Sequence, residues 1–483
     1  MQCNQFVALR SDRVYRNSTD DSYNSVRAVK PFTRSFLIRG RNIMINVLKS
    51  VLKHDVYPAL GCTEPIAVAY AASIAGKQLS GEITEIRITV DSGVYKNGFA
   101  VTIPNTGGER GNLIAGVLGA LIQQPELKME LLRSVTEDTL RHAKELIRTH
   151  MASIVCDKSK KKLYIDVSIR AGKETARAII ESSHTNLVRL QLNHKDLLPE
   201  TKAMPDHTSD EEFRSVLRNS TISDLIDMAQ DMDDQDYDYI KRGIDMNLRV
   251  SNAGSALKKV SYYVSDLVAK KYIINDVSSS CEILTTSATD ARMGGLNLPV
   301  MSSGGSGNQG IVAILVPYFI GSHNDLPEQT IVHSIGVSHL VNSYIKCFTG
   351  GLSPLCGCAI AAGVGAAVAI VYQRAGKDMR KITLSVNNLV SDLGGMLCDG
   401  AKEGCSFKVA SSTNSAIRSA YMALNGHGIS QAEGFVGATA EDTIRNLGAI
   451  GTLGMSMADD TMLEIMIDKA SRLTTRKENQ QPP

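Results

Sequence analysis

The chain has 483 residues, 43% of them hydrophobic and 21% charged, and a net charge of +2. That length predicts two or three domains, and the composition is that of an ordinary globular protein. The small charge, with no long basic run and no zinc-finger spacing, argues against nucleic acid as a partner. Nine cysteines are too sparse for a secreted disulfide scaffold. A reducing, cytoplasmic setting is therefore expected, with some thiols serving as ligands or reagents.

Residues 1–41 stand apart, with seven Arg and one Lys against three Asp and no sustained apolar period. They read as a basic extension, disordered or cleaved; an organellar transit peptide has the same character. The first well-patterned helix is expected at 45–54. A turn, Gly61-Cys62-Thr63-Glu64-Pro65, then leads into an apolar, Ala-rich helix at 66–75, with Thr63 as N-cap and Pro65 in the first turn. Alternating apolar residues predict strands at 86–90 and 99–103, joined by a hairpin turn at Lys96-Asn97-Gly98. A glycine-rich loop at 104–111 precedes a helix from Asn112, and helical segments follow to about Met151. Further strands are expected at 163–169, 176–180 and 187–192.

Residues 42–205 thus read as a mixed α/β domain. The polar, proline-containing stretch 194–214 is the linker candidate. The acidic run 210–238 reads as a pair of exposed helices. Residues 206–475 read as a mainly α-helical domain broken by glycine-rich turns at 293–310, 349–357, 394–404 and 425–428, and 476–483 as a disordered tail. The overall class is α+β. The most apolar stretches, 311–320 and 359–372, fall short of the ~20 residues that span a bilayer. They are expected as buried core helices, with no membrane partner.

Three constellations carry chemistry. Cys356-Gly357-Cys358 and Cys398-x6-Cys405 place four thiols in two glycine-rich turns, a soft donor set suited to zinc or an iron–sulfur cluster. The gaps of one and six fit zinc ribbons poorly, whereas iron–sulfur sites tolerate irregular spacing. A zinc-stabilised binding protein without catalysis stays open at this point, as does the role of Cys356. Cys62 precedes a helix N-terminus, whose partial positive charge favours thiolate; a packed core cysteine is the bland alternative. Finally, Asp290-Ala291-Arg292-Met293-Gly294-Gly295 offers an arginine for a carboxylate, or else a structural Asp290–Arg292 ion pair. The loop Ser306-Gly307-Asn308-Gln309-Gly310 offers backbone amides to an anion. It lacks the Lys-Ser/Thr of a phosphate loop.

Taken in order, the Gly-Cys-Thr-Glu-Pro turn, the 290–295 run, the 306–310 loop and Cys358, Cys398 and Cys405 resemble the L-cysteine desulfidase family, related to the iron–sulfur L-serine dehydratases. The resemblance runs from about Met44 to Ile467. It implies a 4Fe–4S cluster held by Cys358, Cys398 and Cys405, with Cys62 as the base. The reaction implied is PLP-independent β-elimination of L-cysteine to hydrogen sulfide, ammonia and pyruvate; L-serine dehydration is the alternative. Arg292 and Asn308 are expected to orient the small amino-acid substrate. A homo-oligomer is the default expectation for a soluble enzyme.

Overall fold

The computed structural model describes residues 34–38, 41–160, 163–198, 207–351 and 353–478. All fall within the compact unit Phe32–Pro483. Most of the basic extension, the middle of the expected linker and the last residues of the expected tail lie outside the described residues.

A six-stranded sheet organises the first half. Its order is Ala152–Cys156, Ile83–Val90, Tyr164–Ala171, Glu174–Glu181, Leu187–Leu192, Lys195–Asp196. The first pair is parallel and the rest antiparallel. Tyr164–Ala171 alternates buried and less buried residues, the pattern of a sheet packed on one face. That face is covered by the helix Thr63–Gly76, which also crosses the helix Asn112–Ile122. Both helices are Ala- and Gly-rich, so their backbones approach closely: a Cβ on Gly119 would lie 2.0 Å from the Ala69 carbonyl oxygen. These elements share one apolar core containing Ile66, Ile86, Ile88, Leu118, Val167 and Ile180.

The second half is helical and has its own core. Gly307–His323, Glu328–Thr349 and Ala361–Ala375 pack together at its centre, ringed by Asp234–Gly254, Val277–Met293, Met379–Leu393 and Cys405–Leu424. The two apolar stretches expected as core helices lie in Gly307–His323 and Ala361–Ala375, buried nearly throughout. No helix among the described residues is long and apolar enough to cross a membrane. The architecture is the expected one, a mixed α/β region followed by a largely helical one.

Several local expectations fail for physical reasons. The 96–98 hairpin turn is the last turn of a helix, Ser92–Gly98. Asp91 caps it by accepting from the Gly93 and Val94 amides, and its other carboxylate oxygen accepts from the Tyr164 amide at 2.7 Å. The strand at 83–90 therefore pairs with distant partners, and 99–103 keeps only an isolated bridge, Thr102 to Arg110. The first helix begins at Val47, with Asn46 as cap, because residues 41–45 form a strand paired with Arg34–Ile38. Helical structure to Met151 is broken into a 3₁₀ stretch, Pro125–Ser134, and the helix Glu137–Arg148. The acidic stretch after 207 is not simply solvated: His207–Asn219 and Ile222–Gln230 bury Phe213, Leu217, Leu225 and Ile226 against the helical core.

Candidate active site

Two short strands bring the halves together at one point. Pro58–Ala59 pairs antiparallel with Val300–Met301. The Tyr57 amide donates to the Ser302 hydroxyl, and the Ser302 amide donates back to the Tyr57 carbonyl. The Cys62 turn and the Arg292–Asn308 segment are thereby fixed in the wall of one cavity of about 1250 Å³.

The cysteine loops form the facing wall. They are stitched to each other: an isolated bridge joins Leu355 to Leu397, the Cys356 amide donates to the Met396 carbonyl, and the Cys398 amide donates to the Pro354 carbonyl. Cys356 and Cys358 sulfurs are 3.3 Å apart, too far for a disulfide. Cys405 opens the helix Cys405–Leu424, and its thiol approaches the Gly400 carbonyl. All four thiols line the same cavity as Cys62. Burial pushes the Cys405 thiol up; Cys356 is raised chiefly by its contact with Cys358, with Cys398 opposing, and Cys398 is raised chiefly by Cys356 and by burial. Among the described residues, no three His, Cys, Asp or Glu side chains are converged at ion-binding spacing. What the wall offers is a soft donor set, several thiols facing one cavity.

The helix Thr63–Gly76 starts three residues before the expected 66, and its N-cap is Cys62, not Thr63. The Cys62 thiol makes no capping bond; it donates to Glu64 Oε2 at 2.9 Å. Thr63 Oγ1 donates to the same oxygen at 3.0 Å, and Asn97 Nδ2 donates to Glu64 Oε1 at 2.9 Å. Burial and the Glu64 charge push the Cys62 thiol well above its usual range, with Arg292 opposing. The helix N-terminus, expected to favour thiolate, is outweighed, so the resting form is the thiol. Burial also works to raise Glu64. His184, the Cys62 thiol and the Asn97 amide outweigh it and hold the carboxyl below its ordinary value.

Asn97 links this turn to the cysteine wall. Its side chain serves Glu64, while its backbone carbonyl accepts from the Ala401 amide, inside the Cys398–Cys405 loop. Glu64, Asn97 and His184 were not picked out by sequence reasoning. Glu64 sat in the quoted turn and Asn97 at the misassigned hairpin, so a correct helix there would have pointed to both. His184 carried no signal, being a lone histidine on the loop before Leu187–Leu192.

Arg292 and Asn308 do meet. Arg292 Nη1 donates to Asn308 Oδ1 at 2.9 Å, and the Asn308 amide nitrogen contacts the Met293 sulfur. Arg292 is only 2% exposed, and its Nε is buried without a hydrogen-bond partner. Asp290 does not pair with it. Asp290 instead accepts from the Ser261 amide and the Ser406 hydroxyl, which anchors the helix bearing Cys405. The guanidinium thus faces the cavity with donor capacity in hand, at the N-terminus of Gly307–His323, where the helix dipole also favours an anion.

A cavity lined by a hydrogen-bonded thiol–carboxylate pair, an underused arginine and four further thiols is the architecture of an enzyme site. The comparisons agree. Residues 126–464 match the family described as serine dehydratase alpha chain. A UPF0597 protein of Geobacter sulfurreducens is 57% identical over 430 residues, covering 88% of this chain and 99% of its own. One from Elusimicrobium minutum is 49% identical over 425 residues, covering 88% and 100%. One from Clostridium tetani is 38% identical, covering 88% and 99%. No solved structure matches. The chain belongs to the serine dehydratase alpha chain family, among its UPF0597 members. Membership implies a PLP-independent lyase-type reaction on a small amino acid; it does not choose between cysteine and serine.

Proposed function

We propose that this protein is an iron–sulfur-dependent lyase that eliminates sulfide from L-cysteine. The observation that carries the reading is convergence: Cys62, Arg292 and the thiols of Cys358, Cys398 and Cys405 line one cavity although they span more than three hundred residues of chain. Cys358, Cys398 and Cys405 would hold a 4Fe–4S cluster, with Cys356 beside Cys358. When bound, such a cluster with three protein ligands supplies a Lewis-acidic iron with an open position.

The chain's own residues do the rest. Arg292, held by Asn308, receives the substrate carboxylate through its unused donors. Cys62, as thiolate, takes the α-proton. The Cα–H electrons form the Cα=Cβ bond, and the Cβ–S pair leaves with sulfur as hydrosulfide. The other product, 2-aminoacrylate, takes up water to give pyruvate and ammonia. Removing bulk water around Arg292 and Cys62 strengthens both interactions.

L-Serine is the competing substrate, favoured by the description of the matched family. The same residues serve it, with hydroxide in place of hydrosulfide. The test is anaerobic preparation, an iron and acid-labile sulfide count, and parallel assay of pyruvate release from both amino acids. Four irons per chain with preference for cysteine is the expected result. Higher catalytic efficiency on serine reassigns the substrate, and colourless protein carrying zinc overturns the cluster. Cys62→Ala is expected to retain iron and lose turnover, whereas Cys405→Ala loses the iron.

A further inference from the structure

The thiolate that Cys62 needs is not its resting form. Its thiol is 4% exposed and already committed to a hydrogen bond. Direct loss of that proton to solvent would leave two negative charges side by side in a buried turn, an arrangement that buried pairs avoid by keeping one proton between them.

We propose that Glu64 is the internal proton acceptor of Cys62: the thiol proton passes along the existing 2.9 Å contact to Glu64 Oε2, leaving a thiolate that faces the cavity. The S–H bond breaks, an O–H bond forms on the carboxylate, and net charge is unchanged. No other reactant is needed. When the thiolate takes the substrate's α-proton, the pair carries two protons, and Glu64 passes its own to water, breaking its O–H bond and restoring the resting thiol and carboxylate. Glu64 is a positioning residue in this scheme, since it acts through Cys62. The inference rests on the reading of Cys62 as base.

The surroundings hold the acceptor in place, although the lowered proton affinity of Glu64 and the raised affinity of Cys62 make the transferred form the minor one at rest. Glu64 is 7% exposed, yet every donor on it is accounted for by short local contacts: Cys62 and Thr63 on one oxygen and Asn97 on the other. Thr63 and Asn97 hold Oε2 and Oε1 in place, so the acceptor does not rotate away when the thiol proton moves. The other charged or titratable groups facing the pair are Arg292, His184, Lys346 and Tyr57. Arg292 favours the thiolate, and substrate bound to Arg292 would sit next to it.

A shared proton has a distinctive signature. The fraction of thiolate in the pair is set by the split between sulfur and oxygen, not by solvent pH, once the pair has lost its first proton. Rates of Cys62 alkylation by iodoacetamide, read by peptide mass spectrometry on anaerobic holoenzyme, should change less than about threefold from pH 6 to 8. In Glu64→Gln the thiol titrates alone, and the rate should climb about tenfold per pH unit, the slope of a simple thiol far below its pKa. Glu64→Asp should restore the flat profile in part. A native rate that rises tenfold per unit, or a Cys62 that resists the reagent until the chain unfolds, overturns the proposal. The S–H stretch isolated in the native minus Cys62→Ala infrared difference gives a second test. It should lie at lower frequency in the native protein than in Glu64→Gln, and an unmoved band overturns the assignment. Neither readout needs turnover, so they are judged separately from the base role itself, which fails if Cys62→Ala turns over normally.

Discussion

Lys96, only 1% exposed, donates to the backbone carbonyl of Cys398 at 2.9 Å and to Asp459 Oδ1 at 2.5 Å. One ammonium thus ties the helix Ser92–Gly98 to the cysteine loop and to the start of the last helix, Ala458–Glu478. Its neighbour Asn97 reaches the opposite way, to Glu64. This short helix is the joint between the Cys62 turn and the thiol wall.

Breaking that joint should cost stability. Removing one member of a buried ion pair strands the other, at about 3–5 kcal/mol. Asp459 is a quarter exposed, so Lys96→Met is expected at the low end, about 3 kcal/mol. Urea denaturation would measure it. The Cys398 carbonyl also loses its donor, so iron should leave to a chelator faster than from native protein. Unchanged chelation kinetics would show that the loop is held by its own backbone bonds alone.

Gly307 is tested through Arg292. A Cβ there would sit 2.3 Å from Arg292 Nε and 2.6 Å from Val300 Cγ2. Gly307→Ala must push the guanidinium off its position, and misplacement by about 1 Å is enough to cost on the order of 10²-fold in rate. Steady-state kinetics should show a raised KM with iron content intact. Arg292→Lys should raise KM as well, because a point ammonium does not reproduce the planar fork. A native KM in both variants would remove Arg292 from substrate binding.

Gly119 tests the helix crossing that positions Cys62. Its Cβ would overlap the Ala69 carbonyl, a backbone atom with nowhere to move. Gly119→Ala should destabilise by about 1–3 kcal/mol, the range for overpacking, despite alanine's better helix propensity. A neutral or stabilising result in chemical denaturation would mean that the two helices separate freely.

His339 should make stability pH-dependent. Fully buried, with Nδ1 against the Ser303 hydroxyl and Nε2 unpartnered, it is depressed by burial from 6.5 to about 3, with Asp55 opposing. The folded state binds this proton more weakly than the unfolded chain does. Its neutral-form stability is therefore complete above pH 6.5 and drains away as pH falls toward 3. His339→Gln should flatten the native loss between pH 6 and 4. Denaturant midpoints across that window, native against variant, isolate this one group from the carboxylates. Parallel curves would assign the acid sensitivity elsewhere.

The sheet was legible where periodicity was. The strands Tyr164–Ala171, Glu174–Glu181 and Leu187–Leu192 overlap their expected positions because alternation reports a buried face directly. Ala152–Cys156 was not, since this edge strand pairs in parallel with Ile83–Val90, far from its neighbours. The 92–98 helix was missed because its cap, Asp91, also serves the distant Tyr164 amide, and apolar residues on either side imitate a hairpin.

Local chemistry placed Cys62 ahead of a helix start, Arg292 beside a glycine-rich turn, Asn308 in a glycine-rich loop before an apolar core segment, and four thiols in two turns, because caps, glycines and residue types act over a few residues. That these fragments share a cavity was decided by pairings that no window of sequence contains: Pro58–Ala59 with Val300–Met301, and Leu355 with Leu397. The protonation of Cys62 was decided there too. The local helix dipole favours thiolate, but tertiary burial around Cys62 and Glu64 removes the water that a thiolate would need, and desolvation of a charge outweighs a partial charge at a helix end.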